Sequence, residues 1–167
     1  MLTKNFYSYM RLVFQQATST FTLTDGSVST ISSSTNSQPP FKVMNSWAKS
    51  TTEAGVSFGT GTTPATVSDY FLESILGDTQ ISVSTPSSVS FNQFDTYEEY
   101  TVTFGVTNRT AEAITISEVG LTAVPYSYST ASYAIIDRTV LDTPITIPAG
   151  QSKQITYTIL FNYGDAV

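Results

Sequence analysis

Between residues 79 and 162, apolar and small polar residues alternate with few interruptions, and no other feature of the chain constrains its fold as strongly. Ile81 and Val83 alternate with Ser82 and Ser84, while Tyr100, Val102, Phe104 and Val106 alternate with Thr101, Thr103 and Gly105. Ile155, Tyr157, Ile159 and Phe161 repeat the pattern near the end. A period of two puts one set of side chains on each face of a strand, so each ribbon has one buried face and one wet face. Hydroxyls supply the wet side: the 167 residues include 23 Ser and 28 Thr. The branched Cβ of Thr packs well on a pleated surface while its hydroxyl stays hydrated, so sheets can face solvent with few ions. The pattern predicts a mainly β chain, an antiparallel β-sandwich of jelly-roll or immunoglobulin-like type, with an N-terminal helix or arm.

The first part of the chain reads differently. Leu2, Phe6, Tyr9 or Met10, and Val13 recur at three- and four-residue steps, which predicts a helix over 1–17 with Thr3 as a candidate cap. Tyr7, Tyr9 and Phe14 suit a strand equally well. Asp25-Gly26, with Phe21 and Leu23 before it and Val28 and Ile31 after, signals a hairpin. Ser32 to Pro40 reads as a loop, and 41–44 and 55–58 as short strands. Residues 59–74 begin as a Gly/Thr/Pro loop. They then predict a helical turn near 67–75, with Ser68 as N-cap and Asp69 and Glu73 near its start. The division that follows is an N-terminal arm or helix with hairpin over 1–45 and a sandwich domain over 46–167.

Composition removes several classes of chemistry. The chain has no Cys and no His, so thiolate ligands, disulfides, imidazole bases and a Ser-His-Asp triad are out of reach. A net charge of −6 and seven scattered basic residues argue against nucleic acid, whose phosphates need clustered Lys or Arg. No run nears the roughly 18 apolar residues of a membrane helix. The first residues lack the apolar stretch of a secretory signal. The chain is therefore read as a non-enzyme with no cofactor, no metal and no small-molecule substrate.

Several motifs have both a chemical and a structural reading. Gly55 to Gly61, GVSFGTG, looks like a phosphate cradle but lacks the Lys-Ser/Thr of a P-loop. The alternative is a strand and a tight turn. Asp95, Glu98 and Glu99 cluster, yet adjacent residues of a strand point to opposite faces, which does not favour a paired-carboxylate site. Asn108-Arg109-Thr110 is a formal glycosylation sequon that also suits a hairpin turn. After Ile114 and Ile116 the apolar phase moves to Val119 and Leu121. Either a bulge falls near Ser117-Glu118, or Glu118 shares the isoleucine face. If 113–123 and 132–141 pair antiparallel about a turn near Ser127-Tyr128, Glu118 lies opposite Arg138, and the two form a structural ion pair. Trp47, Tyr126, Tyr128 and Tyr133 fall in or beside loops and are candidate interface residues.

Three segments carry a resemblance. GTGTTPATVSDYFLES (Gly59 to Ser74), EVGL (Glu118 to Leu121) and RTVLDTPITIPAGQSKQITYTILF (Arg138 to Phe161) are similar to segments of small structural proteins of tailed bacteriophages. That resemblance implies a virion component of tail, neck or head surface, assembled in the host cytoplasm. Its partners would be copies of itself and other virion proteins. The resemblance does not extend to residues 1–45; the structural reading has the first 40 residues reach onto an adjacent subunit. The alternative reading is a carbohydrate- or receptor-binding module that uses exposed aromatics.

Overall fold

The alternation becomes nine strands in the computed structural model, which describes residues 1–8, 19–31, 54–94, 96–124 and 133–162. β1 (Ser19–Thr22) and β2 (Val28–Ile31) form a hairpin. β3 (Gly55–Gly59), β7 (Ile114–Ala123) and β8 (Ala134–Ile147) make one sheet in the order β3-β7-β8. The other sheet is centred on β6 (Tyr97–Asn108), which pairs with β4 (Ile81–Val83), β5 (Ser88–Gln93) and β9 (Ser152–Asn162). Because β9 runs along nearly all of β6, β4 and β5 share the opposite edge and pair with different stretches of it. Every pairing is antiparallel, so the chain is mainly β as its pattern requires.

Both sheets line the same core. Val102, Phe104 and Val106 of β6 are fully buried, and so are Val56, Phe58 and Leu121 of the other sheet. The Phe58 and Phe104 rings meet edge to face at 6.1 Å between centroids. Burying each such side chain contributes on the order of 1.5–3 kcal/mol. The opposite face of β6 and β9 is laddered by hydroxyls: Thr101 with Thr158 at 3.0 Å, Thr103 with Thr156 at 3.0 Å and Thr107 with Ser152 at 2.7 Å.

The β6–β7 and β8–β9 connections pass from one sheet to the other, and Asn108 pins them together. Its Nδ2 donates to Glu112 O at 2.7 Å and to Ile147 O at 2.9 Å, and its backbone N–H donates to Gln151 O at 2.9 Å. The sequon is thus a corner between sheets rather than the hairpin turn expected.

The described part of residues 1–45 packs as body rather than standing off as an arm. Phe6, Phe21 and Ile31 belong to the same core cluster as β6 and β7. The expected boundary near residue 45 therefore does not separate two cores. Residues 4–8 are helical, and residues 9–17 of the expected helix lie outside the described residues. The Thr3 hydroxyl is turned to β8, where Oγ1 donates to Ile135 O at 2.7 Å, and the Thr3 carbonyl accepts from Phe6 N–H at 3.1 Å. Residues 1–3 instead run along the edge of β8: Thr3 N–H donates to Ile136 O, and Arg138 N–H donates to Met1 O, both at 3.0 Å. Asn5 bonds both ways with the Thr22 backbone, at 2.7 and 2.9 Å, and ties the hairpin down. In that hairpin Gly26 takes φ +83°, and Asp25 accepts from the Ser27 amide at 2.9 Å.

Candidate functional site

Among the described residues, a cluster of buried polar groups lies on the face of the β3-β7-β8 sheet turned away from the core. A register irregularity between Ile116 and Glu118 builds it. Val119 and Leu121 stay in the core, while Glu118 and Gly120 turn outward beneath residues 59–76. Of the two readings of Ser117-Glu118, a break in register is the one that forms, with residues 141–144 of β8 opposite Ser117, and Glu118 does not share the isoleucine face. Glu118 pairs in register with Val140, and Arg138 with Gly120. The two residues are therefore diagonal neighbours, not direct opposites as counted from a turn at 127–128. A second shift, between Leu121 and Thr122, displaces the register.

Arg138 is 3% exposed and makes a charged contact with each of three carboxylates. Its Nε donates to Glu118 Oε2 at 2.9 Å, Nη1 to Asp69 Oδ2 at 2.7 Å and Nη2 to the Thr63 carbonyl at 3.1 Å. Glu73 Oε2 stands 3.7 Å from Nη2. Only a planar guanidinium fork can serve partners in these several directions at once. Glu118 is fully buried and accepts four bonds. Gly61 N and Ser74 N reach Oε1 at 3.1 and 2.8 Å, and Glu73 N and Arg138 Nε reach Oε2 at 3.1 and 2.9 Å. A buried carboxylate is tolerable when its lone pairs are filled this way.

This network explains why no helix forms over 67–75, where the structure has turns. The amides of Glu73 and Ser74 donate to Glu118 instead of to carbonyls one turn back. Asp69, expected at the start of a helix, accepts from Thr66 N at 2.9 Å and Thr66 Oγ1 at 2.7 Å, and closes a tight loop. The superficial phosphate cradle has a similar explanation. Thr62 N and Thr63 N both donate to Glu73 Oε2 at 2.9 Å, so the anion gathered by these amides is the chain's own carboxylate. Glycine is required where residues 59–61 cross the sheet. A Cβ on Gly59 would stand 2.5 Å from Glu118 Oε1, and one on Gly61 2.5 Å from Glu73 Cβ.

The electrostatics follow. Burial alone would raise the Asp69 carboxyl, but bonds from Thr66 and Arg138, with the guanidinium charge, hold it below the usual range. Glu73 is held low by the Thr63 amide and hydroxyl, then by Thr62 and Arg138. The Arg138 guanidinium is pushed up despite its burial by the bonds it donates to Asp69 and Glu118 and by their charges. Asp69 and Glu73 are ionised at neutral pH and, like Glu118, are committed to the chain's own donors, an arrangement that clamps residues 60–76 to the sheet. A general acid, by contrast, needs its pKa raised toward the working pH.

A second polar group is buried between the sheets. Asp137 Oδ2 accepts from Tyr157 Oη at 2.7 Å, and its Oδ1 lies 2.9 Å from the Met1 ammonium. Burial, then the Asp137 charge, pushes the Tyr157 phenol well above its ordinary value.

The other expected residues are dispersed. Tyr133 is half-buried and its carbonyl accepts from Thr24 N at 3.0 Å, while Trp47, Tyr126 and Tyr128 lie outside the described residues. Glu98 and Glu99 sit in register with Phe161 and Leu160 on β9 and face opposite ways; Asp95 lies outside the described residues. Asn108 is 1% exposed with its amide bonded, which leaves no atom for a glycan. Among the described residues no three His, Cys, Asp or Glu side chains are placed to hold a metal ion. Tyr70 and Phe71, with ring centroids 4.7 Å apart, rim a shallow cleft over Thr63, Asp69, Glu73 and Arg138. Sequence reasoning missed Thr63, Asp69 and Glu73 as partners of Arg138. The available signal was an unusual run of Gly, Thr and acid before two isolated buried charges.

No family model, curated protein or solved structure matches the chain.

Proposed function

We propose that the protein is a structural component of a tailed-phage virion, acting through assembly contacts with copies of itself and with other virion proteins. Its two sheets are read as the layers of a sandwich of the jelly-roll or immunoglobulin-like kind. One observation carries the reading. The segments that resemble phage structural proteins are the ones that meet at the clamp: Gly59 to Ser74 is the strap, Glu118 lies in EVGL and Arg138 in RTVL. On this reading those segments serve to hold a loop against a sheet. Sheets that face outward with threonine pairs can meet a neighbour without stripping water from ions.

Native mass across a concentration series, with electron microscopy of the same samples, tests this. Defined oligomers, rings or tubes are expected, and a solitary monomer that converts a small molecule refutes the reading. Deletion of residues 1–40 is a poor test of assembly, because Phe6, Phe21 and Ile31 belong to the core.

The alternative, a carbohydrate- or receptor-binding module, is favoured by Phe71, 40% exposed beside the carboxylates of the cleft. Binding on a glycan array that is lost in Phe71→Ala would support it.

A further inference from the structure

Strand edges expose unpaired N–H and C=O groups, and proteins blunt them with charges, prolines, bulges or covers. The edges of this chain differ in how far that is done. Residues 1–3 cover part of the β8 edge, which further along carries Asp142 and Pro144. β9 carries Lys153, and β3 is buried along its length. The edge shared by β4 and β5 is interrupted at Thr85-Pro86. Beyond it, β5 has no charge, no proline and no break in register, and all six of its residues are exposed. Among the described residues it pairs with β6 alone. Val89 and Phe91, 46% and 58% exposed, lie on one face of it.

We propose that β5 pairs antiparallel with β5 of a second copy of this chain about a two-fold axis through Ser90, making one sheet continuous across two molecules. Three observations select a second copy and this register. The chain carries a net charge of −6, so copies repel in general, yet the side chains of β5 are all neutral. Among the described residues, the acids in register with β5 lie one strand further in, on β6, where Asn92 Nδ2 bonds Glu99 Oε1 at 3.4 Å. Ser88-Val89-Ser90-Phe91-Asn92 is polar, apolar, polar, apolar, polar, a pattern symmetric about Ser90, as a self-complementary contact demands.

Backbone parity agrees. Phe94 N–H donates to Tyr97 O at 2.9 Å, which makes 94/97 a hydrogen-bonded pair. Alternation then directs Ser88, Ser90 and Asn92 toward β6, and the N–H and C=O of Val89, Phe91 and Gln93 toward the free edge. In the Ser90-centred register Val89 faces Phe91 of the second copy twice over. Both are outward-bonding positions on the same apolar face.

A single pairing of five residues from each copy falls below the roughly 1,200 Å² buried by stable complexes. It is therefore a contact that forms within an assembly already holding copies together, and in that sense it rests on the function proposed above.

The absence of cysteine makes the test direct. Ser90 meets its own symmetry mate in a non-hydrogen-bonded pair, where Cα atoms stand about 4.5 Å apart, within disulfide range. Under mild oxidation at high protein concentration, Ser90→Cys is expected to give a covalent dimer. Ser88→Cys and Asn92→Cys are each expected to form homodimers many-fold more slowly, and to cross-link with each other when mixed. Val89→Lys on the Ser90→Cys background is expected to suppress the bond, with circular dichroism confirming the fold. Cross-linking of all three single variants at one rate, or of none, overturns the proposal. If none cross-link but native mass still shows oligomers, the β5 contact fails and the structural reading survives. If none cross-link and the chain stays monomeric, both fail.

Discussion

Replacing Glu118 with Gln keeps the shape of the buried side chain and removes its charge. The four groups that surround it are all donors: the amides of Gly61, Ser74 and Glu73, and Arg138 Nε. A carboxylate accepts from all four, whereas a carboxamide accepts only through its single oxygen. Either orientation turns an NH₂ group toward two N–H donors, and each buried donor left without an acceptor costs about 1–3 kcal/mol. Arg138 keeps Asp69 but loses its fully buried counter-charge, and breaking a buried pair from one side costs about 3–5 kcal/mol. These figures describe overlapping losses, so the expected destabilisation of Glu118→Gln is about 3–5 kcal/mol, a large share of the roughly 5–15 kcal/mol that holds a domain folded. With a urea m-value of about 2 kcal/mol/M, the unfolding midpoint followed by circular dichroism should fall by roughly 2 M. Exposed Glu112→Gln is the control, expected within about 0.5 kcal/mol of wild type. Hydrogen exchange at Gly61, Glu73 and Ser74 should accelerate more than at β6. A loss below about 1 kcal/mol, with those amides still protected, would refute the clamp.

Acid should loosen the same strap. Asp69 and Glu73 are held below their usual values when folded, so their contribution is complete above the unfolded values near 4 and is lost as pH falls through the lower folded ones. Stability measured from about pH 5 downward should drop, with a shallower slope in Asp69→Asn. The Tyr157 phenol is raised, so the unfolded chain ionises first and the fold loses stability as pH climbs past about 10, an effect that Tyr157→Phe should reduce in alkaline denaturation. At neutral pH, Tyr157→Phe should cost about 1–3 kcal/mol by removing a donor from buried Asp137, read from the urea midpoint. Gly61→Ala sets a methyl 2.5 Å from Glu73 Cβ and 2.6 Å from Glu118 Oε1, and should cost about 1–3 kcal/mol as overpacking, measured the same way.

Much of the architecture could be read from the residues alone. Val102, Phe104 and Val106 against Thr101 and Thr103 give β6 and its faces directly, because a pleat has only two sides. Asp25-Gly26 gives the hairpin for an equally local reason. The clamp was harder to read. The shift of apolar phase marks an irregularity near Glu118, but the Arg138 register depends on a second shift at Leu121 that leaves no trace in the alternation. Asp69 and Glu73 resemble the acids of a helix start. Their partner lies 69 residues away in sequence for Asp69, and local propensity cannot register a contact at that range. Leu2 and Phe6 suit an arm as well as a core until the edge of β8 is known to lie beside them.

The hydroxyl ladder of β6 and β9 has a consequence for the environments the molecule tolerates. Ion pairs on a surface weaken as electrolyte thickens, because the screening distance contracts from about 10 Å at 0.1 M to about 3 Å at 1 M. Thr101 with Thr158 and Thr103 with Thr156 present dipoles instead, with no counter-ion cloud to compress. A face built this way keeps its cohesion in brine as in fresh water.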